Sequence, residues 1–129
     1  PRCGELDIME HKGSQPTITS SAIHGPGYSG ATPFAHAMAS SQGPYFENFH
    51  LFAVEWDRND VRFFVDSTLH YTVRRADVVA HGDWVFDQPF FPILNLAVGG
   101  HFDGDPQSDA ILPATVLIDH VRVYLPKSP

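Results

Sequence analysis

Glu5, Asp7 and Glu10 fall within six residues of one another, set among Leu6, Ile8 and Met9. Like charges held this close repel, so such a cluster makes chemical sense before it makes structural sense. Two carboxyl groups about 5–5.5 Å apart, one ionised and one protonated, can cleave a glycosidic bond with retention. The first attacks the sugar and the second protonates the leaving oxygen. A charged Asp7 between them can hydrogen-bond one and help keep the other protonated. The plain alternative is an amphipathic strand whose acids face water.

The elements that must hold these groups follow from alternation. In a strand, Glu5 and Asp7 share one face while Leu6 and Ile8 share the other. Glu10 lies five positions after Glu5, so strict alternation sends it to the apolar side. One extra residue corrects this, and the spacing predicts a β-bulge at Ile8-Met9 that returns Glu10 to the acidic face. Glu5 and Glu10 are then about 13 Å apart at Cα, at ~3.3 Å per residue, and their side chains must lean together over a bent strand.

The rest of the chain reads as strands and turns. Strands are expected over residues 17–24, 34–40, 49–57, 61–65, 69–74, 90–99 and 114–125, with Gly- and Pro-rich links. The glycines and prolines at residues 25–30 exclude regular structure there. Asp57-Arg58-Asn59-Asp60 reads as a hairpin turn and residues 76–79 as a short helical turn. Trp56 is expected in the core between sheets rather than as a sugar platform, and Trp84 as packing. Cys3 is expected as a buried free thiol, the alternative being a disulfide to a cysteine elsewhere. Lys127-Ser128-Pro129 reads as a tail.

Five segments besides Cys3-Gly4-Glu5-Leu6-Asp7-Ile8-Met9-Glu10 carry a family resemblance. They are His24-Gly25-Pro26-Gly27-Tyr28-Ser29-Gly30, Val54-Glu55-Trp56-Asp57, Phe63-Phe64-Val65-Asp66, Ile93-Leu94-Asn95-Leu96-Ala97-Val98-Gly99-Gly100 and Asp119-His120-Val121-Arg122-Val123-Tyr124. Together, and in this order, they resemble the laminarinase-like branch of glycoside hydrolase family 16. The resemblance implies an all-β jelly-roll sandwich of the concanavalin-like kind, and endo-hydrolysis of β-1,3-glucan, with β-1,3-1,4-glucan as a second substrate. Glu5 is then the nucleophile, Glu10 the acid/base and Asp7 the group that positions and tunes them. A non-catalytic β-glucan-binding module of the same fold is the rival reading.

The resemblance also implies substrate-binding roles for His24, which can donate to a sugar hydroxyl or to Asp7, and for Asn95, whose alternative is a structural amide. His101 and Phe102 fall in a loop at the implied cleft rim. Asp119 matches a position where relatives bind a structural calcium, and no cofactor is implied for catalysis. The family domain is about twice this length, so the resemblance covers its C-terminal half. The expectation is that the remaining N-terminal half is a partner, as a second chain or another segment. An extracellular setting is implied.

Composition narrows the classes. With 129 residues the chain is one domain at most, and the formal charge of −7 disfavours a row of phosphates, so no nucleic-acid partner is expected. No apolar run approaches a membrane span, so no membrane partner is expected either. No H-E-x-x-H, P-loop or dinucleotide glycine pattern occurs, and one Cys cannot build a thiolate zinc cluster.

Overall fold

The structure, a computed structural model, describes residues 1–106, 108 and 112–125. The chain divides into two units, Pro1–Pro92 and Ile93–Pro129.

The first unit holds six strands in two antiparallel sheets. One sheet is β1 (Glu5–His11), β2 (Ile18–His24) and β3 (Phe34–Ala39), in that order. The other is β4 (Phe52–Trp56), β5 (Asp60–Val65) and β6 (Thr68–Arg74). A 3-10 turn at Tyr45–Glu47 lies between the sheets in sequence, and a short helix, α1 (Arg75–Val78), follows β6. The fold is an all-β sandwich of the jelly-roll kind.

Register shows why the sheets pack. Leu6, Ile23 and Phe34 are cross-strand partners in the first sheet. Val54, Phe63 and Tyr71 form the matching row in the second, beside Trp56, Val61 and Val73. These rows supply most of the core, with Tyr28, Val78, Trp84 and Phe86 closing it. Burying a large apolar side chain contributes about 1.5–3 kcal/mol, so the rows fix which face of each sheet turns inward.

The turns obey local chemistry. Asp57 Oδ1 accepts from the backbone N–H of Asn59 and Asp60, at 2.7 and 3.1 Å, closing the β4–β5 hairpin. Asp66 and Ser67 adopt φ of 48° and 69°, which gives the two-residue β5–β6 link the twist that a tight hairpin needs.

Three expectations are corrected. Trp56 is 39 % exposed rather than buried. It shares the inward face with Val61, but β4 is an outer strand of its sheet, and Phe90 stands against the indole, edge to face at 6.3 Å. Cys3 is an exposed free thiol, not a buried one.

The third correction concerns the strands expected at 90–99 and 114–125, which do not form. Both stretches have the apolar content of strands. A strand, however, is held by a neighbour's ladder of hydrogen bonds, and no described residue after β6 pairs with one. In the second unit the described residues contain neither strand nor helix, apart from a turn in which Gly104 N–H donates to the Gly100 carbonyl at 2.9 Å. The tail expected at 127–129 lies outside the described residues. Among the described residues no helix is long and apolar enough to cross a membrane.

Candidate active site

The acidic strand pairs with β2 through Glu5↔His24, Leu6↔Ile23, Asp7↔Ala22, Glu10↔Ser20 and His11↔Thr19. From Asp7 to Glu10 β1 advances three residues while β2 advances two, so the extra residue lies at Ile8-Met9. Directly opposed residues of an antiparallel pair point to the same face. His24, Ala22 and Ser20 alternate along β2 and share a face, so Glu5, Asp7 and Glu10 share it too. Leu6 and Ile23 occupy the other face, in the core. The three acids therefore line the side of the sheet turned away from the apolar interior.

Their environments differ. Glu5 is exposed, while Asp7 and Glu10 are half-buried. Burial pushes the Asp7 carboxyl up to about 7, and the nearby charges of Glu5 and Glu10 and a side-chain hydrogen bond with Glu5 push in the same direction. This modifies the expectation of a charged Asp7. Below about pH 7 Asp7 carries a proton and donates it in its hydrogen bond to Glu5.

His24 ends β2 with its Nε2 3.0 Å from Asp7 Oδ2. The loop that follows is docked rather than loose. Gly25 and Tyr28 exchange backbone hydrogen bonds at 2.9 and 3.1 Å, and the buried Tyr28 donates its hydroxyl to the Asp83 carbonyl at 2.7 Å. Gly27 has φ of +91°, and a Cβ there would overlap the His81 carbonyl. Only glycine allows this backbone approach, which anchors the strand end that carries His24.

Ser20 was not anticipated as part of the site. Its hydroxyl donates to Glu10 Oε2 at 3.4 Å. The signal was available in principle: once the hairpin is aligned around one extra residue, Ser20 falls opposite Glu10.

The structure thus brings together Glu5, Asp7, Glu10 and His24. The remaining candidates belong to the second unit. Asn95, expected on a strand, lies exposed in an unpaired stretch, and His101 sits exposed in the glycine turn. Asp119 is exposed, with Oδ2 3.0 Å from Nδ1 of His120. One carboxylate supplies at most two of the roughly six to eight oxygens that calcium takes. Among the described residues no three His, Cys, Asp or Glu side chains gather as a metal site.

Comparison with known proteins agrees with this arrangement. The model of the family described as Glycosyl hydrolases family 16 matches residues 1–120. A beta-glucanase of Rhodothermus marinus is 36 % identical over 96 % of this chain and 45 % of its own length. The solved endo-beta-1,3-glucanase of Pyrococcus furiosus superposes with a TM-score of 0.80 at 42 % identity, over 84 % of this chain and 42 % of that one. The laminarinase catalytic domain of Thermotoga maritima gives 0.79 at 42 % identity, over 82 % of this chain and 43 % of that one. The chain therefore spans less than half the length of each of these relatives.

The expectation of a separate N-terminal half as this chain's partner is corrected. The relatives run through 84 % and 96 % of the chain as one family region, and Pro1–Pro92 packs around a core of its own residues. With the acid-bearing strand, its bulge and residues 1–120 all inside the match, this chain belongs to glycosyl hydrolases family 16.

Proposed function

We propose that the protein is a retaining endo-glycosidase acting outside the cell on β-1,3-glucan of the laminarin type. One observation carries the reading: the bulge at Ile8-Met9 sets Glu10 on the face shared by Glu5 and Asp7, over the alternating row His24, Ala22 and Ser20. The names of the relatives support the substrate class, since those of Rhodothermus, Pyrococcus and Thermotoga are a beta-glucanase, an endo-beta-1,3-glucanase and a laminarinase.

In the first step the Glu5 carboxylate attacks the anomeric carbon, the glycosidic C–O bond breaks, and Glu10 gives its proton to the leaving oxygen. In the second, Glu10 takes a proton from water, the oxygen attacks the same carbon, and Glu5 is released. Protonated Asp7 donates a hydrogen bond to Glu5. This favours the anionic carboxylate that must attack and avoids a second charge beside it. His24 holds Asp7 from the other side. Asn95 and His101 are proposed substrate contacts and Asp119 a proposed calcium ligand, on the family resemblance alone.

The experiment is reducing-sugar release from laminarin by the wild type and by Glu5→Gln. The expected result is release by the wild type and its loss in the variant. Equal release by both removes Glu5 as nucleophile, and no release by either favours a binding module.

A further inference from the structure

The bulge that delivers Glu10 has its own support, deep between the sheets. Ser21 lies between Ala22, which opposes Asp7, and Ser20, which opposes Glu10, so it faces the bulged pair Ile8-Met9. It is a buried polar residue, 1 % exposed, on the inward face of β2 that it shares with Ile23 of the core. Its Oγ is 2.8 Å from the Ile8 carbonyl oxygen and 3.1 Å from Nε2 of His70, on β6 of the other sheet.

Chemistry fixes the direction of both bonds. A hydroxyl has one proton and a carbonyl only accepts, so Ser21 donates to Ile8. The Ser21 oxygen must then accept, and His70 donates from Nε2–H. Burial, with the nearby His36, pushes His70 below the ordinary histidine range and keeps it neutral. The groups facing the ring are His36, at 5.7 Å between centroids, and Phe63, at 6.5 Å, besides Ser21.

His70 is itself an extra residue. Phe63 pairs with Tyr71 while Phe64 pairs with Leu69, so β6 bulges at His70. One hydroxyl therefore joins the bulge of the acidic strand to the bulge of the opposite sheet. Thr19 adds a second bond from β2, donating to the Glu10 carbonyl at 3.2 Å.

We propose that Ser21 and His70 are positioning residues for Glu10, holding the Ile8 carbonyl so that the extra residue stays at Ile8-Met9 and Glu10 stays on the acidic face. The physical need is plain. A register change of one residue moves a side chain to the opposite face. Without the Ser21 proton, the half-buried Ile8 carbonyl beside the bulge loses this partner, which favours moving the bulge along the strand. The proposal rests on Glu10 being the acid/base.

The test compares two substrates in Ser21→Ala, His70→Phe, His70→Gln and Glu10→Gln. Laminarin has a poor leaving group and needs a well-placed acid. A dinitrophenyl β-glycoside of a glucose disaccharide leaves without protonation, so kcat/KM for its first bond cleavage does not need Glu10. Ser21→Ala and His70→Phe should lower kcat/KM on laminarin about 10- to 100-fold, the scale of a misplaced proton donor. On the dinitrophenyl substrate the loss should stay below about threefold. His70→Gln, which keeps an amide donor on a side chain of similar reach, should recover most of the laminarin activity.

Equal losses on both substrates would make Ser21 and His70 merely structural and overturn the proposal, as would an unchanged laminarin rate. Glu10→Gln separates the two levels. If it shows the selective loss while Ser21→Ala does not, the positioning proposal alone fails. If Glu10→Gln shows none, the acid/base assignment fails and the positioning proposal falls with it.

Discussion

His24 reaches Asp7 diagonally across the β1–β2 pair, with Nε2 3.0 Å from Oδ2, although its direct cross-strand partner is Glu5. That diagonal contact sits beside a carboxyl whose pKa has been pushed from 3.8 to about 7. Folding therefore increases the affinity of Asp7 for its proton, and the sign of the linkage follows. Between about pH 4 and 7 the folded chain binds this proton more than the unfolded chain does, so stability falls as pH rises. The cost is absent below about pH 4 and complete above about pH 7. Asp7→Asn, which cannot ionise, should become progressively more stable than wild type across that window, by up to about 4 kcal/mol, while losing activity. Denaturant unfolding at stepped pH checks this, and a constant difference across the window would refute it.

Removing the extra residue should be worse than changing it. Deleting Met9 leaves Glu5, Asp7 and Glu10 at alternate positions, so all three keep one face and Glu10 still opposes Ser20, but the bend of the bulge is lost. A proton donor displaced by about 1 Å costs up to about 10²-fold in rate, so laminarin hydrolysis should fall about 10- to 100-fold. Met9→Ala keeps the residue count and should lose less than about tenfold. Chemical denaturation and laminarin hydrolysis on both variants make the comparison, and similar activity in the two would show that the bulge is dispensable.

These two predictions separate what the sequence carries from what it does not. The bulge was legible because Glu10 breaks a pattern that Glu5, Leu6, Asp7 and Ile8 obey, and only an insertion repairs it. The β4–β5 hairpin was legible from Asp57 to Asp60, since turn chemistry is local. Trp56 was misread because alternation gives the face of a residue but not whether a neighbouring strand covers it. The strands expected at 90–99 and 114–125 were misread for a related reason: β propensity is local, while a ladder needs a partner. The proton on Asp7, the hydroxyl of Ser20 and the link from Ser21 to His70 depend on distances across strands or sheets, which no single segment encodes. Thr19, Ser20 and Ser21 inside a strand did give a hint, since hydroxyls buried in a strand need acceptors.

The loop after His24 should tolerate no side chain where it meets residues 81–83. A Cβ on Gly82 would overlap the Pro26 carbonyl, and backbone cannot yield as a flexible side chain can. Gly82→Ala should destabilise by about 1–3 kcal/mol and lower activity through displacement of His24. Gly30 meets nothing within 4 Å, although its φ is +61°. Gly30→Ala should cost only about 1 kcal/mol, for the left-handed backbone. Paired thermal melts read the contrast, and equal costs would mean that the loop is not docked.

The core makes a simpler prediction. Phe63 is fully buried and stacks on Tyr71 at 6.1 Å between centroids. Phe63→Ala should lose about 3–5 kcal/mol of stability, through lost apolar burial and the cavity left behind. A loss below about 1 kcal/mol, measured by denaturant unfolding, would place Phe63 outside the packed interior.

The most direct measurement is capture of the covalent intermediate. An activated 2-deoxy-2-fluoro glycoside of a β-1,3-linked glucose disaccharide slows the second step and leaves the sugar on the nucleophile. Digestion and mass spectrometry should then find the adduct on Glu5, with Glu10→Gln still labelled and Glu5→Gln not. An adduct on Glu10 or Asp7, or none on a protein that hydrolyses laminarin, would contradict the assignment of the paired carboxylates.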